Sequence, residues 1–333
     1  MRLPAMLPLA RGRRLPAILA LSAMAFDASA AAAERWPVRP IRFVHGFIAG
    51  GNVDISARLL AAPLSEILGQ QVVVDGRPGA GGTTAAGTIA RSEPDGYTLF
   101  LMASGHATSP ALYRKLAYDP VNDFTMISLV ATFPFTIVAG PTFTGKSIQD
   151  LIAMAKQAPG RLDYGTGGVG TGMHLASVLF QARAGVQLNH VPYKGGNAAP
   201  VAMLAGEVPL VFNTPSGSEG FTDSGRMRVL AITTPQRWSQ MPNVPTVAET
   251  VIPGFDVRGW VAVAAPKGLP RPLVTRLNQA VQAALKRPEV IDRLGQMGTQ
   301  VSPTSAAEAQ QFLETEVARW IRVIRDANIP PQG

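Results

Sequence analysis

The stretch from residue 41 to residue 58 reads IRFVHGFIAGGNVDISAR and decides the predicted fold. Its apolar spacing predicts a strand near Phe43 that leads into a helix, with Asp54 at the helix start. Between the two elements, Gly50 and Gly51 allow a tight turn. The first N–H groups of a helix lack partners within the helix and lie at the positive end of its dipole, so they stabilise an anion. The stretch predicts either an anion-binding loop or an ordinary strand-to-helix turn with Asp54 as N-cap.

Outward from this stretch, strand-like apolar runs alternate with helix-like segments along the chain. Such alternation predicts an α/β fold of mostly parallel sheets flanked by helices. A length of 333 residues indicates two domains rather than one. Proline-bearing segments near 134 and at 253–266 are the expected crossings between the domains. Two crossings predict a discontinuous first domain, residues 34–135 plus 256–333, and a second domain of residues 136–255.

Residues 1–33 differ in composition from the rest of the chain. Arg11, Arg13 and Arg14 precede the apolar run LPAILALSAMAF and a stretch of small residues, which is typical of a cleavable secretory signal peptide. A run of about a dozen apolar residues is too short to span a bilayer. We therefore expect a periplasmic protein of a Gram-negative bacterium. Because the sequence has no cysteine, disulfides and thiolate metal sites are excluded.

The charge of the chain argues against a nucleic-acid partner. The formal net charge is +8, and four arginines and one aspartate of the predicted signal peptide account for +3 of it, which leaves +5 for the mature chain. No cluster of Lys and Arg interleaved with aromatic residues is present in the sequence. A mild positive potential instead favours attraction of small anions.

Two glycine motifs fit nucleotide-binding patterns. GPTFTGKS, residues 140–147, matches a P-loop, but Pro141 removes a backbone donor, and Ser147 is more simply interpreted as a helix N-cap. GTGGVG, residues 165–170, matches a dinucleotide fingerprint, but the acidic residue expected about 20 positions later is missing. The anion-binding geometry of the second loop does not depend on a dinucleotide. Because both motifs match nucleotide-binding patterns, a nucleotide-dependent enzyme is kept as an alternative.

The other polar residues give little support to catalysis. The four histidines show no paired metal-ligand spacing, and no GxSxG or SxxK motif places a nucleophile beside a base, so neither a metal, a cofactor nor an enzyme is predicted. His106 and His174 lie at the edges of glycine-rich loops, where they could donate to a ligand or only tie the loops together. GRPGAGGTT, residues 76–84, is a third glycine-rich turn before a helix. Three such turns predict ligand contacts that converge in a crevice.

The run PVRPIRFVHGFIAGGNVDISARLL resembles the opening of the Bug-type solute-binding proteins, the TctC-like periplasmic receptors of tripartite tricarboxylate transporters. The resemblance continues in order through LGQQVVVDGRPGAGGTTAAGTIARSEPDGYTLF, LYRKLAYDPVNDF, LDYGTGGVGTGMHLASVLF, HVPYKGG, VPTVAE and PGF. It implies a two-lobed periplasmic-binding-protein (Venus-flytrap) fold without catalysis. It also implies a small carboxylate ligand, held by loop amides, hydroxyls and waters, and delivery of a mono-, di- or tricarboxylic acid to membrane permease subunits. A monomer is expected, and a carboxylate sensor subunit is the alternative role.

The resemblance also implies which residues contact the ligand. They are Phe47, Gly50, Gly51, Asp54, Gly81, Gly82, Ser104, His106, Gly168, Thr171, His174 and Tyr193. Lys194 follows Tyr193 in the same motif. The first loop departs from the family pattern, because His45 and Gly46 replace an apolar residue and a proline, and Ala49 replaces a second proline. These changes are expected to loosen the loop and alter the shape of the pocket.

Overall fold

The computed structural model describes residues 36–217, 225–326 and 329. The predicted signal peptide, residues 1–33, lies outside the described residues. No helix in the described part of the chain combines the length and apolar character needed to cross a membrane.

The described strands and helices alternate along much of the chain. The strands are β1 Ile41–His45, β2 Val72–Gly76, β3 Thr98–Ala103, β4 Phe124–Pro134, β5 Thr136–Ala139, β6 Asp163–Thr166, β7 Asn189–Pro192, β8 Leu210–Asn213, β9 Arg228–Ile232, β10 Arg258–Pro266 and β11 Gln300–Val301. The α-helices are α1 Asn52–Leu68, α2 Thr83–Ile89, α3 Gly105–Leu112, α4 Ile148–Gln157, α5 Gly172–Ala184, α6 Ala198–Leu204, α7 Val247–Thr250, α8 Arg271–Leu285, α9 Pro288–Gln296 and α10 Ala306–Asp326.

The strands form two sheets. The first has the order β11-β4-β10-β3-β1-β2, and the second has the order β7-β6-β8-β5-β9. β1 pairs in parallel with β2 and β3, and β6 pairs in parallel with β7 and β8. The remaining pairs of both sheets are antiparallel. The sheets are therefore mixed, and the expectation of mostly parallel sheets is corrected in this respect.

The antiparallel pairs follow from the way the chain crosses between the sheets. It leaves the first sheet through β4 and enters the second through β5, with Phe135 as the one residue between them. It leaves the second sheet after β9 and returns through β10. β4 lies beside β10, and β5 lies beside β9. An outgoing and a returning strand that are neighbours run in opposite directions, so both crossings add antiparallel pairs. The division into two domains at residues 135 and 255 stays a prediction.

Helix α1 positions the loop that precedes it. Its buried apolar residues recur at helical spacing: Val53, Ala57, Leu60 and Leu64. They pack the helix against the first sheet and α8. The N-cap is Gly51, which makes no side-chain cap, and Asp54 is the third residue of the helix. The interpretation of Asp54 as N-cap is therefore wrong, because the helix begins three residues earlier than that interpretation requires.

Replacement of Leu60 by alanine should destabilise the fold by about 2–5 kcal/mol, because Leu60 is fully buried under α1 and its removal leaves a cavity. The matched control is Ile67→Ala on the same helix, where the side chain is 37% exposed and the expected loss is below about 1 kcal/mol. Urea unfolding midpoints of the two variants measure the difference. Equal losses would contradict the packing described for α1.

Candidate functional site

A cavity of about 560 Å³ lies where the loops that follow the parallel strands meet. The first sheet contributes the loops after β1, β2 and β3, and the second contributes the loops after β6 and β7. The lining comprises residues 46–48, 51–53, 78–81, 103–105, 133, 135, 167–169, 171–173, 194–197 and 214. Ligands of open α/β sheets bind at the carboxyl ends of the strands, so this position is the expected one for a binding site.

Three helices begin at the cavity. Gly51 and Ser104, the N-cap residues of α1 and α3, make no side-chain cap and line the cavity. At α5, the Thr171 hydroxyl accepts from the N–H of His174 at 3.3 Å and leaves the N–H groups before it uncapped. Helix N-termini present N–H donors without partners in the helix, and positive partial charge. Three of them at one cavity favour an anionic ligand.

A buried carboxylate holds the first of these loops. Asp54 is 3% exposed, and its Oδ2 accepts from the N–H of Gly50 at 2.9 Å. Arg58 Nε donates to both carboxylate oxygens at 3.0 and 3.1 Å. His45, which is fully buried, lies with Nε2 3.1 Å from Asp54 Oδ1. Asp54 therefore holds the loop between β1 and α1 in place through hydrogen bonds with Gly50 and His45.

The protonation states of this cluster follow from burial and hydrogen bonding. Burial lowers the pKa of His45, and the nearby Asp54 carboxylate opposes this only in part. Neutral His45 then donates from Nε2 to Asp54, and its Nδ1 accepts the N–H of Phe47 at 3.4 Å. Burial alone would raise the pKa of Asp54, but hydrogen bonds from Arg58 and Gly50 outweigh it and place the pKa below its ordinary value. Asp54 is thus ionised at neutral pH.

Glycines let the loops approach backbone to backbone. A Cβ on Gly46 would lie 2.5 Å from Gly82 Cα, so only glycine fits between the first and second loops. Gly81 has φ +64°, and a Cβ there would lie 2.7 Å from Gly170 O on a loop of the second sheet. The expectation that His45 and Gly46 loosen the first loop is therefore not supported, because His45 is hydrogen-bonded to Asp54 and Gly46 packs tightly.

The residues implied as ligand contacts fall into two groups. The cavity is lined by Phe47, Gly51, Gly81, Ser104, Gly168 and Thr171. The residues outside its lining are Gly50, Asp54, Gly82, His106, His174 and Tyr193. Direct ligand contact by the first group stays a prediction. For the second group ligand contact also stays a prediction, and the structure places Gly50 and Asp54 in a bond to each other and Gly82 against Gly46.

The three other residues outside the lining have partners away from the cavity. His106 is stacked on Tyr118 at 5.4 Å, and its Nε2 lies 2.8 Å from a backbone carbonyl. His174 is stacked on His190 at 4.5 Å. Burial lowers the pKa of His106 and His174 to about 4, so both are neutral and suited to tying loops together. Tyr193 donates its hydroxyl to a glutamate at 3.1 Å.

Several lining residues were not singled out from the sequence. They are Ile48, Asn52, Val53, Pro78, Phe133, Phe135, Met173, Asn197 and Thr214. Asn52 and Met173 belong to the first turns of helices, where the predicted anion-binding geometry could have identified them. Phe133 and Phe135 flank the predicted crossing near 134, so the predicted crossing could have identified them as lining residues.

The P-loop alternative is not supported by the structure. Residues 140–147 do not line the cavity. Ser147 is confirmed as the N-cap of α4, because its Oγ accepts from the N–H of Asp150 at 3.1 Å and the Asp150 carboxylate accepts from the N–H of Ser147 at 3.1 Å. Within residues 36–217, 225–326 and 329, no group of three His, Cys, Asp or Glu side chains is placed to hold a metal ion.

Comparisons with known proteins agree with this geometry. Residues 56–329 match the family model described as "Tripartite tricarboxylate transporter family receptor". BugT of Bordetella pertussis is 35% identical over 317 residues, which cover 94% of this chain and 97% of BugT. The structure of R. palustris Rpa4515 with adipate has a TM-score of 0.84 and 36% identity, covering 89% of this chain and 100% of that chain. The periplasmic binding protein BugD has a TM-score of 0.84 and 33% identity over 89% and 100% of the two chains.

These similarities confirm two expectations from the sequence. The α/β fold is that of periplasmic binding proteins, with the correction that its sheets are mixed. The resemblance to Bug-type receptors is also confirmed. The family is described as a family of receptors rather than enzymes.

Substitution of Gly81 by alanine should weaken ligand binding at least tenfold, because the added Cβ would meet Gly170 O and hold the two loops apart. Calorimetric titration with a bound organic acid measures the loss. The control is Gly69→Ala, since Gly69 also has positive φ, +72°, but a Cβ there meets nothing within 4 Å. Both variants carry a similar backbone strain of about 1–2 kcal/mol. Equal affinities for the two variants would refute the role assigned to the close approach.

Replacement of Asp54 by alanine should cost about 1–3 kcal/mol of stability at pH 7, because the buried donor of His45 loses its acceptor and the N–H of Gly50 loses its bond. The folded pKa of Asp54 lies below its unfolded value of about 3.9, so the stabilisation is present above that pH and is lost as the pH falls through the folded pKa. Urea unfolding at pH 7 and at steps below pH 4 should show the difference between wild type and variant shrinking. The control is Glu66→Gln, because Glu66 lies on the same helix as Asp54 and forms an exposed ion pair with Arg287. This variant should change stability by less than about 1 kcal/mol. A difference that persists unchanged at low pH would contradict an ionised Asp54.

Proposed function

Since this chain belongs to the tripartite tricarboxylate transporter receptor family, we propose that it is an extracytoplasmic receptor that binds a small organic acid by its carboxylate and delivers it to membrane permease subunits. The observation that carries the proposal is the convergence of the N-termini of α1, α3 and α5 on one cavity. We further propose that the chain is exported to the periplasm through the signal peptide of residues 1–33 and acts there as a monomer, without cofactor or catalysis.

The charges around the cavity suit this ligand. Lys194 is the one charged side chain in the described lining, which contains no Asp or Glu. Each helix N-terminus stabilises an anion by about 0.3–1 kcal/mol, and backbone N–H groups add hydrogen bonds that need no charged side chain. Asp54, the carboxylate bonded to the first loop, is paired with Arg58 and does not line the cavity. A carboxylate therefore meets little electrostatic opposition.

Contacts across the cavity support a receptor that closes around its ligand. Asn197 Nδ2, on the loop after β7, donates to Gly50 O, on the loop after β1, at 2.8 Å. Asn52 Nδ2, at the start of α1, donates to Ser216 Oγ at 3.4 Å. We propose that residues 34–135 with 256–333 and residues 136–255 move as two domains that these contacts bring together. A ligand that touches both favours the closed arrangement.

The presence of adipate in the related Rpa4515 structure supports a carboxylate as the recognised group. The proposed contacts are the lining residues Phe47, Gly51, Gly81, Ser104, Gly168 and Thr171. Backbone amides dominate this set, because three of its members are glycines and two more lie at helix N-caps.

Thermal denaturation with a panel of acids and their amides tests the proposal. An acid at a hundredfold excess over its Kd should stabilise the chain by about 2.7 kcal/mol and raise Tm by several degrees, because it binds the folded state alone. The matched carboxamides, such as adipamide beside adipate, keep the shape but remove the charge, and should give no shift. A rise in Tm with an uncharged sugar and with none of the acids would overturn the assignment.

A further inference from the structure

Apart from its glycine loops, the cavity has apolar walls. Phe133, near the end of β4, and Phe135, between β4 and β5, both line it. They are only 4% and 3% exposed, and their rings meet edge-on with centroids 5.8 Å apart. Phe135 reaches the start of α5, because a Cβ on Gly172 would lie 2.5 Å from Phe135 Cζ. Hydrocarbon surface therefore begins beside one of the helix N-termini that favour an anion.

The loops extend this apolar surface. Their apolar side chains in the lining include Phe47, Ile48, Val169 and Met173. Ile48 Cδ1 occupies the space where Gly195 would carry a side chain, and Met173 Cε lies 2.7 Å from a Cβ placed on Gly167. The two glycines thus leave room for hydrocarbon side chains rather than for polar ones. A ligand in the cavity meets apolar atoms from the loops of both sheets.

Most polar side chains of the lining already have partners. Thr171 Oγ1 donates to a carbonyl of its own loop at 2.7 Å. Thr214 Oγ1 lies 3.2 Å from Ser216 Oγ, so one of these hydroxyls donates to the other. Asn197 Nδ2 donates to Gly50 O at 2.8 Å. These bonds use the hydroxyl hydrogen of Thr171 and one amide N–H of Asn197, so fewer donors remain for hydroxyl groups of a ligand.

Few side-chain polar atoms of the described lining residues remain free to form a hydrogen bond with a ligand. Ser104 Oγ has no hydrogen bond in this part of the chain, but it lies at the start of α3, where it can serve the carboxylate. Asn52 Oδ1 is buried without a partner and can accept at most two hydrogen bonds. Lys194 is exposed at the edge of the site and donates only. A ligand with several hydroxyls would bury some of them without acceptors.

We propose, on the basis of the function inferred above, that the bound acid has a hydrocarbon body, aliphatic or aromatic, rather than a hydroxylated one. The carboxylate lies at the N-termini of α1, α3 and α5. The body lies against Phe133, Phe135 and the apolar loop residues. Each buried hydroxyl left unpaired costs binding free energy, whereas hydrocarbon gains by leaving water. The cavity therefore favours acids that carry no polar groups apart from the carboxylate.

Pairs of acids that share a carbon skeleton test this inference on the purified full chain. Hexanoate is compared with gluconate, and adipate with galactarate, by isothermal titration calorimetry. In each pair, both members have the same number of carboxylates and carbons and differ only in hydroxyl groups. The hydrocarbon member should bind at least tenfold more tightly. A hydroxylated member that binds as tightly as its partner, or more tightly, would overturn the inference.

A variant of the first loop tests whether the apolar wall causes the preference for the hydrocarbon acid. Phe47 is half-buried in a loop, so Phe47→Ala removes a ring of the lining with little risk to the fold. The ratio of the two affinities within each pair should fall at least threefold in this variant. Val73→Ala, at a residue that is 42% exposed on β2 and absent from the lining, should leave the ratio unchanged. An unchanged ratio in Phe47→Ala would count against contact between the ring and the ligand body.

The outcomes separate this inference from the proposed function. If a hydroxylated acid binds and its hydrocarbon partner does not, the carboxylate receptor stands and the hydrocarbon body is wrong. If none of the four acids and none of the wider panel bind, the proposed function fails and the inference fails with it.

Discussion

The buried carboxylate of Asp54 is the constraint on which the first loop depends. A carboxylate that is 3% exposed needs hydrogen-bond partners, and Gly50, Arg58 and His45 supply them. Asp54 is the third residue of α1 and bonds backwards to the loop, while the N-cap is a glycine. A capping carboxylate would occupy the first N–H groups of the helix. With Gly51 in that position, these donors remain available to an external anion.

The crossings between the sheets explain both the mixed strand order and the composition of the cavity. β4 and β5 are separated by Phe135 alone, so the rings of Phe133, near the end of β4, and of Phe135 lie where the chain passes from one sheet to the other. The parallel strands β1, β2 and β3 bring glycine loops to the same cavity as β6 and β7. One arrangement of the chain thus places amide donors from both sheets and an aromatic pair around a single volume.

The local parts of this structure could be predicted from the sequence, and some of the long-range contacts could not. The strand from Ile41, the glycine turn and the Ser147 cap depend on residues within a few positions of each other. By contrast, His106 is withdrawn from the cavity because Tyr118 and Phe124 pack against its ring. The antiparallel pairing of β10 with β4 depends on where the chain returns after more than a hundred residues. Nothing in the neighbouring sequence specifies either contact.

Recognition by backbone donors places particular demands on the rest of the cavity. Amide dipoles bind a carboxylate without bringing a buried charge that needs a partner when the ligand is absent. They also recognise every carboxylate alike, since each presents the same two oxygens. Discrimination between acids must therefore come from the walls that meet the remainder of the ligand. In this chain those walls are formed largely by phenylalanine, isoleucine, valine and methionine side chains and by glycine backbone. The neighbouring hydroxyl and amide groups are mostly bonded to backbone carbonyls or to another hydroxyl.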